Sequence, residues 1–487
     1  MMIRLKPLYL LSICALGLAA CSPTKVNMVS DVPVPVGFEH TMAGPETAID
    51  QWWLSWQDPQ LNQLIANALQ NSKDLASTRH KLQEARQMAR LAQADMGPIA
   101  GLNGNTGLQA GRIKNPLSSE TRQVFDYLNS DELGSSSLSG TGFHAGGGIA
   151  ASWEPDIFGA KGSDADAARH GALARQEQLH GAQMLVASDI VDYYSQMQYY
   201  RQKKLLAQHQ VQILNQLKRY VQGRFKAGQA SAYNIQEVES KIQAAQAQAN
   251  TYQAQADHAV RQIAVVSGAV PQNFRVQTPS YALGSNLPPL PTGQTPANVL
   301  NRRPDVRAKQ QQVYIASAQL ASAKADLLPR FQLNFLGQGG TVKLSSDVPH
   351  MHGVGGILNA SMQLPLFTNG RIDANIDAKD ENLKSKLNDY DHTVLKALAE
   401  VDSSYQAQSA LNQQAQDLKN AVDTAQTQAH SAAKLFKHGQ QTLDTTLRSR
   451  LDANDMQDKA LQANLARVQN MINLYKALGG GWQSRTL

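Results

Sequence analysis

The sequence is poor in cysteine, in aromatic residues and in long apolar runs. It has two cysteines, and Phe, Trp and Tyr together make up 6% of its residues. So few aromatic residues favour long helices with narrow contact seams over a thick globular core. After residue 20 no apolar stretch approaches the roughly 20 residues that a membrane-spanning helix needs. If the chain spans a membrane, we therefore expect it to do so with β-strands.

A strong charge of one sign is also missing. Lys and Arg number 45 against 39 Asp and Glu, and the charges are interspersed without the basic stripe that nucleic-acid binding requires. The glycine-rich stretch LGGGW at Leu478–Trp482 lacks the Lys-Ser/Thr of a phosphate loop, so we interpret it as a helix end. No nucleophile elbow and no paired-cysteine metal spacing is present. We predict that the protein is not an enzyme, has no cofactor and binds no nucleic acid.

The N-terminus is typical of an exported bacterial protein. Two basic residues precede an apolar run, Leu8–Ala20, whose length suits a signal peptide. The run ends in Leu-Ala-Ala-Cys, which resembles the lipobox of bacterial lipoproteins. We predict a signal peptide over 1–20 and lipidation at Cys21, which leaves one cysteine and no disulfide. The alternative is an ordinary signal peptide cut after Ala20. Ser22, by the usual sorting habit, favours the outer membrane.

The two halves of the chain repeat one another. The pairs Asp74/Asp305, Asp95/Asp326 and Pro98/Pro329 share an offset of 231, whereas Tyr194/Tyr405, Gly228/Gly439 and Gly268/Gly479 share an offset of 211. The 20 extra residues of the first half fall in the polar stretch from about Ile113 to Phe143. Length variation of this kind predicts an exposed loop.

Each half predicts a helix, two strands, a long helix and a shorter return helix. The long helices are predicted over Ser163–Ala227 and Asp373–His438, and the return helices over Ser231–Val266 and Thr442–Lys476. Apolar residues of the first long helix recur with a mean spacing of about 3.5, the coiled-coil period. The predicted organisation is a signal peptide 1–20, an acylated segment 21–57, a first repeat 58–268, a linker 269–301 and a second repeat 302–482.

Alternating apolar and polar residues predict the strands. Phe331, Leu333 and Phe335 would share one face, and so would the set Leu358, Ala360, Met362, Leu364 and Leu366 and the set Ile149, Ala151, Trp153 and Ile157. Such alternation suits a barrel with lipid outside and water inside, although a half-buried strand of a soluble sheet has the same period. Four strands are too few to close a barrel, so copies of the chain would have to pool them. A dimer would supply eight strands with a filled interior, and a trimer 12 strands with room for a lumen.

Several motifs, in the same order, resemble the TolC-type outer membrane efflux proteins, in the NodT-like lipoprotein branch that works with resistance-nodulation-division pumps. They are WWLSWQDPQLNQLIANALQNSKDL, SWEPDIFGAKG, NRRPDVRAKQQQV, LPLFTNGR and LYKALGGGW. The resemblance covers nearly the whole mature chain. It implies a mainly α protein with a membrane β-barrel, in which a homotrimer joins a 12-stranded barrel to a long coiled-coil α-barrel.

The resemblance also implies partners and a place in the cell. The chain would be the outer membrane channel of a tripartite efflux system, a passive duct for small molecules such as drugs. It would work with a periplasmic adaptor protein and an inner-membrane pump of the resistance-nodulation-division type, anchored in outer membrane lipid with a long periplasmic extension. The alternatives are a type I secretion channel and a periplasmic coiled-coil lipoprotein without a pore; the latter leaves the alternating strands unexplained.

Carried onto this sequence, the resemblance places two helix turns at the periplasmic tip. The residues that would meet the adaptor are Phe225, Gly228, Gln229, Phe436, Gly439 and Gln440. Related chains often carry an acidic residue shortly after each glycine, but here those positions are Asn234, Thr445 and Arg448. Asp444 lies beside them and is the candidate gate residue. A plain turn without recognition is the alternative for both motifs.

One histidine motif stands apart from this scheme. In PHMHG, Pro349–Gly353, His350 and His352 flank Met351, and such a set could hold a soft metal such as copper. We interpret them instead as two solvated histidines in a short link between strands, and we predict no metal site.

Overall fold

The structure, a computed structural model, describes residues 32–114, 117–128, 137–343 and 351–482, so that Cys21 and His350 lie outside the described residues. The helices in these ranges are a 3-10 helix Trp52–Trp56, α1 Pro59–Asn71, α2 Lys73–Ala94, α3 Ser119–Tyr127, α4 Ala160–Lys226, α5 Ala232–Val266, α6 Pro296–Arg302, α7 Pro304–Ala325, α8 Arg371–Lys437 and α9 Leu443–Ala477. The strands are β1 Ile99–Lys114, β2 Ser137–Trp153, β3 Arg330–Lys343 and β4 Met351–Gln363.

The two long helices, α4 and α8, each have 67 residues. At 1.5 Å per residue each is about 100 Å long. Each is followed by a return helix of 35 residues. The predicted helical hairpins are therefore confirmed, with ends that differ by three residues or fewer, and so is the predicted combination of long helices with four strands.

The extra stretch of the first half, which the sequence predicts to be an exposed loop, is not irregular throughout. It contains α3, whose N-cap Ser118 accepts a hydrogen bond from the N–H of Thr121 at 3.2 Å. Glu120 in the first turn also favours the helix, because a carboxylate is stabilised near the helix N-terminus. The described residues of this stretch are mostly exposed, as predicted, but the helix was missed because polarity was weighed and the capping signal was not.

The four strands form one antiparallel sheet in the order β1-β2-β3-β4. Its register aligns Ala151 with Phe335 and Phe335 with Leu358, so that one face of the sheet is apolar, as predicted. The alternation extends less far than expected, since Ile157, Leu364 and Leu366 lie beyond the strand ends. Met351 and His352 belong to β4 instead of a link, because they pair with Val342 and Thr341.

The chain divides into two compact units. Within the described residues, the first contains the sheet and falls in 87–169 and 315–383, and the second falls in 32–86, 170–314 and 384–482. The largest hydrophobic core lies in the second unit, where Trp52 stacks on Tyr475 with ring centroids 4.8 Å apart. Among the helices of the described ranges, none combines the length and the apolar character that a bilayer crossing demands.

Candidate functional site

Two turns of the same backbone geometry follow the long helices. We call residues 225–231 the first turn and residues 436–442 the second turn. In the first, the N–H of Gly228 bonds the carbonyl of Phe225 at 2.9 Å, and the N–H of Gln229 bonds that of Arg224 at 2.8 Å. The second turn repeats both bonds at 3.0 and 2.9 Å. This is the Schellman motif, which needs a left-handed residue.

A glycine occupies the left-handed position in both turns. The φ angle of Gly228 is 74° and that of Gly439 is 71°. A Cβ added at either would meet no atom within 4 Å, so the requirement for glycine comes from the backbone conformation and not from crowding. The sequence prediction that both glycines lie in helix turns agrees with this placement.

Two of the three positions at which related chains often carry an acidic residue take part in capping the return helices. Asn234 accepts hydrogen bonds at its Oδ1 from the N–H of Ser231 at 3.1 Å and from the Ser231 hydroxyl at 2.9 Å. Thr445 donates its N–H to the Oγ1 of Thr442 at 3.2 Å. Both residues therefore satisfy backbone or side-chain groups at a helix start, where such groups lack helical partners.

The candidate gate residue Asp444 is paired within its own helix. Its Oδ2 accepts a hydrogen bond from Nε of Arg448 at 2.9 Å. This bond raises the pKa of the Arg448 guanidinium, to which Glu237 of α5 also contributes. The carboxylate at this point of the chain is therefore accompanied by a cation one helical turn away.

The helical hairpins α4–α5 and α8–α9 are packed together close to their turns. Leu447 of α9 is 1% exposed and belongs to a core with Leu214, Leu217 and Val221 of α4 and Val238 of α5. A hydrogen bond of 2.9 Å from Arg450 of α9 to Gln216 of α4 joins the same helices. The two turns, which contain the predicted contact residues, therefore follow helices that pack against one another.

Exposed aromatic and basic residues surround both turns. Phe225 is 46% exposed, Phe436 40% and Tyr233 71%. The long helices end on the basic residues Arg224, Lys226, Lys434 and Lys437. Tyr233 and this basic surface were missed in the sequence analysis, although basic residues in the last turn of a helix are a recognisable signal.

The histidine motif is divided by the sheet. Met351 and His352 are consecutive residues of β4, and consecutive strand residues point to opposite faces. Among the described residues, no group of three or more His, Cys, Asp and Glu side chains is arranged to hold a metal ion. His350 lies outside the described residues.

Comparison with known proteins identifies similar chains of nearly the same length. The family model described as "Outer membrane efflux protein" matches residues 64–269 and 295–480. Pyoverdine export outer membrane protein OpmQ of Pseudomonas aeruginosa is 28% identical over 99% of this chain and 98% of its own. Cation efflux system protein CusC of Escherichia coli O6:H1 is 27% identical over 98% and 100%. The open state of the MtrE outer membrane channel of Neisseria gonorrhoeae has a TM-score of 0.76 and 21% identity, covering 96% of this chain and all of that one.

Proposed function

Because the chain belongs to the outer membrane efflux protein family, we propose that three copies of it form a passive duct that exports small molecules. The protein is an outer membrane efflux channel, and the sheet carries the proposal for its assembly. Within the described residues, β1 and β4 each pair on one side only. In lipid, unpaired N–H and C=O groups cost several kcal/mol each, so copies of the chain must complete one another's sheets.

Three copies fit a duct better than two. Eight strands enclose an interior that side chains fill, whereas 12 strands can leave a lumen. The mass of the detergent-solubilised protein, measured under native conditions, should correspond to three chains. A dimer would contradict the trimer, and a monomer that stays soluble after its acyl chains are removed would contradict the duct.

Small molecules are the proposed cargo. The relatives described above are named for pyoverdine export and for cation efflux, so chains similar over their whole length serve different small solutes. We infer that the inner-membrane pump determines the cargo. Deletion of this gene should sensitise cells to small toxic compounds, while the secretion of proteins should not change.

The turns are the proposed contact with a periplasmic adaptor. Exposed aromatic rings and basic helix ends fit an adaptor tip that offers apolar and acidic side chains. Crosslinkers placed at Gln229 or Gln440 should capture the adaptor and its pump. Lys226→Glu combined with Lys437→Glu should reduce capture, while Lys73→Glu, an exposed control on α2, should not. Equal capture by all of these variants would contradict this contact.

Asp444 stays the candidate gate residue. Asp444→Ala should weaken the block of single channels by cations, because the carboxylate is lost. Arg448→Ala should strengthen it, because the same carboxylate loses its neutralising partner. Unchanged conductance and unchanged block in both variants would count against a gating role.

Cys21 is the proposed lipid anchor. The mass of the mature chain should show cleavage before Cys21 and the addition of acyl chains, and Cys21→Ser should abolish both. An unmodified cysteine would contradict this proposal.

A further inference from the structure

The register of the sheet separates its side chains into two faces with different chemistry. One face is apolar, and its exposed members include Leu102, Leu108, Ile149, Phe335, Val354 and Leu358. The opposite face carries Asn103, Asn105, His144, Asn334, Gln338 and Asn359, and among them the apolar residues Ile99, Leu336, Val342, Met351 and Ile357. We call this second face the amide face.

The amide face borders a hollow of about 440 Å³ near the end of β3 and the start of β4. Its lining consists of glycines of β2, β3 and β4 and of Asn103, Asn105, His144, Ala145, Gln338, Thr341, Val342, Met351 and His352. The register places Asn105 in one row with Gly146, Gly340 and Gly353, and Asn103 in one row with Gly148, Gln338 and Gly355.

The glycines let the polar side chains lie across the sheet. A Cβ on Gly146 would be 3.2 Å from Oδ1 of Asn105, and a Cβ on Gly148 would be 3.2 Å from Oδ1 of Asn103. The imidazole of His144 covers Gly107 in the same way, since a Cβ there would lie 2.6 Å from its Cε1. The amide and imidazole side chains therefore fill the space beside these glycines, which the side chain of a larger residue would otherwise occupy.

The rows of the amide face that surround the hollow carry no formally charged side chain among the described residues. Between the row of Ser152, Asn334 and Asn359 and the row of His144, Val342 and Met351, the described side chains are amide, hydroxyl, imidazole, apolar or absent. Arg330, at the start of β3, lies outside these rows and forms ion pairs with Asp326 and Glu154. An amide both donates and accepts hydrogen bonds, so this surface can bind cationic and anionic solutes alike.

We propose that the amide face is the wall of the membrane part of the duct and sets how readily that part passes the solutes that the pump delivers. It favours solutes rich in hydroxyl and amide groups and discriminates little between positive and negative charge. The inference rests on the proposed function, because the amide face lines a lumen only if several copies close their sheets around it. Asn105 is a permeability-determining residue of this wall because it is exposed and lies at the hollow.

Charge placed at Asn105 tests the proposal. In planar bilayers under a salt gradient, Asn105→Asp should shift the cation-to-anion permeability ratio towards cations, and Asn105→Lys towards anions. Three charges about 10 Å from the permeating ions should change the ratio about 20-fold at 0.01 M salt and about three-fold at 0.15 M, because they attract one ion and repel the other and because salt screens them. Asn105→Gln is the matched neutral control and should leave the ratio unchanged.

The outcomes distinguish a failure of this inference from a failure of the proposed function. If the trimers form channels but neither charged variant shifts the ratio, the amide face does not line the narrow part of the path and the inference is wrong. A shift caused equally by Asn105→Gln would also overturn it, because charge would not be the cause. Folded trimers that form no channel would instead overturn the duct itself. Asn103→Asp repeats the test at a second amide should Asn105→Lys fail to assemble.

Discussion

The two halves of the chain bury equivalent tyrosines against different acceptors. Tyr194 and Tyr405 are each 1% exposed. The hydroxyl of Tyr194 donates to a carboxylate, Oδ2 of Asp58 at 2.7 Å, which also accepts from Tyr281 at 2.5 Å. The hydroxyl of Tyr405 donates to a neutral group, the carbonyl of Pro291 at 2.8 Å. The repeat thus preserves the donor and its burial, while the acceptor is Asp58 at the start of the first half in one case and Pro291 of the linker in the other.

At a second pair of equivalent positions, the charged group lies in the second half and the neutral group in the first. In the second half the buried guanidinium of Arg303 bonds both carboxylate oxygens of Asp305, Oε2 of Glu400 and the carbonyl of Ala477. Desolvation opposes ionisation of Asp305, but the hydrogen bond and charge of Arg303 outweigh it and lower the pKa of Asp305. At the position of Arg303 the first half has Ser72.

The counterpart of Glu400 in the first half is Asp189. Desolvation raises the pKa of Asp189, although its surface is still partly exposed, and Lys476 only partly offsets this. The first half therefore keeps an acid at both carboxylate positions, Asp74 and Asp189, but lacks the guanidinium that joins the two acids in the second half. The two halves thus share the backbone and the positions of the acids, whereas the partner that neutralises these acids differs.

The largest expected effect is at Arg303. Arg303→Met should lower the free energy of unfolding by about 3–4 kcal/mol, because a buried guanidinium with four hydrogen bonds is lost. The midpoint of heat unfolding of the solubilised protein measures this loss. Ser72→Ala, at the equivalent position, should change stability by less than about 1 kcal/mol. Equal losses at both positions would remove the asymmetry between the halves.

A somewhat smaller loss is expected at Asp58. Its carboxylate caps α1 by accepting the N–H groups of Gln60 and Leu61, in addition to the two tyrosine hydroxyls. Asp58→Ala should cost about 2–3 kcal/mol, and Tyr405→Phe, which removes one bond to a neutral acceptor, about 1 kcal/mol. The same unfolding measurement compares them, and a larger loss for Tyr405→Phe would reverse the comparison.

Alkaline pH should affect the first half through its tyrosine pair. Burial first, and then the hydrogen bonds to Asp58, raise the pKa of Tyr194 and of Tyr281 above the ordinary value of about 10. Their contribution to stability is therefore fully present below about pH 10 and is lost as the pH rises beyond it, by up to about 1.4 kcal/mol per unit for each group.

Heat unfolding followed from about pH 8 to about pH 12 should show this decline. Tyr281→Phe should make the decline less steep, because one of the two groups can no longer ionise. An identical slope in the variant would show that other groups cause the alkaline loss.

The smallest effects are expected at the turns, where the two halves agree. Gly228→Ala and Gly439→Ala should each cost about 1 kcal/mol, because alanine is strained at positive φ while no neighbouring atom obstructs its Cβ. Local hydrogen exchange at each turn measures the loss. Clearly unequal values would mean that the turns differ in more than their side chains.

Much of this fold was predictable from local patterns in the sequence. Period 3.5 over Val211–Phe225 predicted the long helix, the glycines after Phe225 and Phe436 predicted its turns, and period 2 at Phe331–Phe335 predicted a strand with one apolar face. Such patterns depend on neighbours along the chain. The contact of Leu447 with α4, and the choice between Asp58 and Pro291 as a tyrosine acceptor, join residues far apart and leave no local trace.

What the sequence alone determined is the repeated order of helices and strands, because helix and strand periodicity are properties of short segments. Only the tertiary structure decided where the polar and charged groups meet. It showed Asp58 accepting from Tyr194 and Tyr281, Arg303 paired with Glu400, and the amides of β1 and β3 gathered on one face of the sheet. The physical reason is range, since a hydrogen bond or an ion pair forms only within a few ångströms and therefore depends on packing that brings distant segments together.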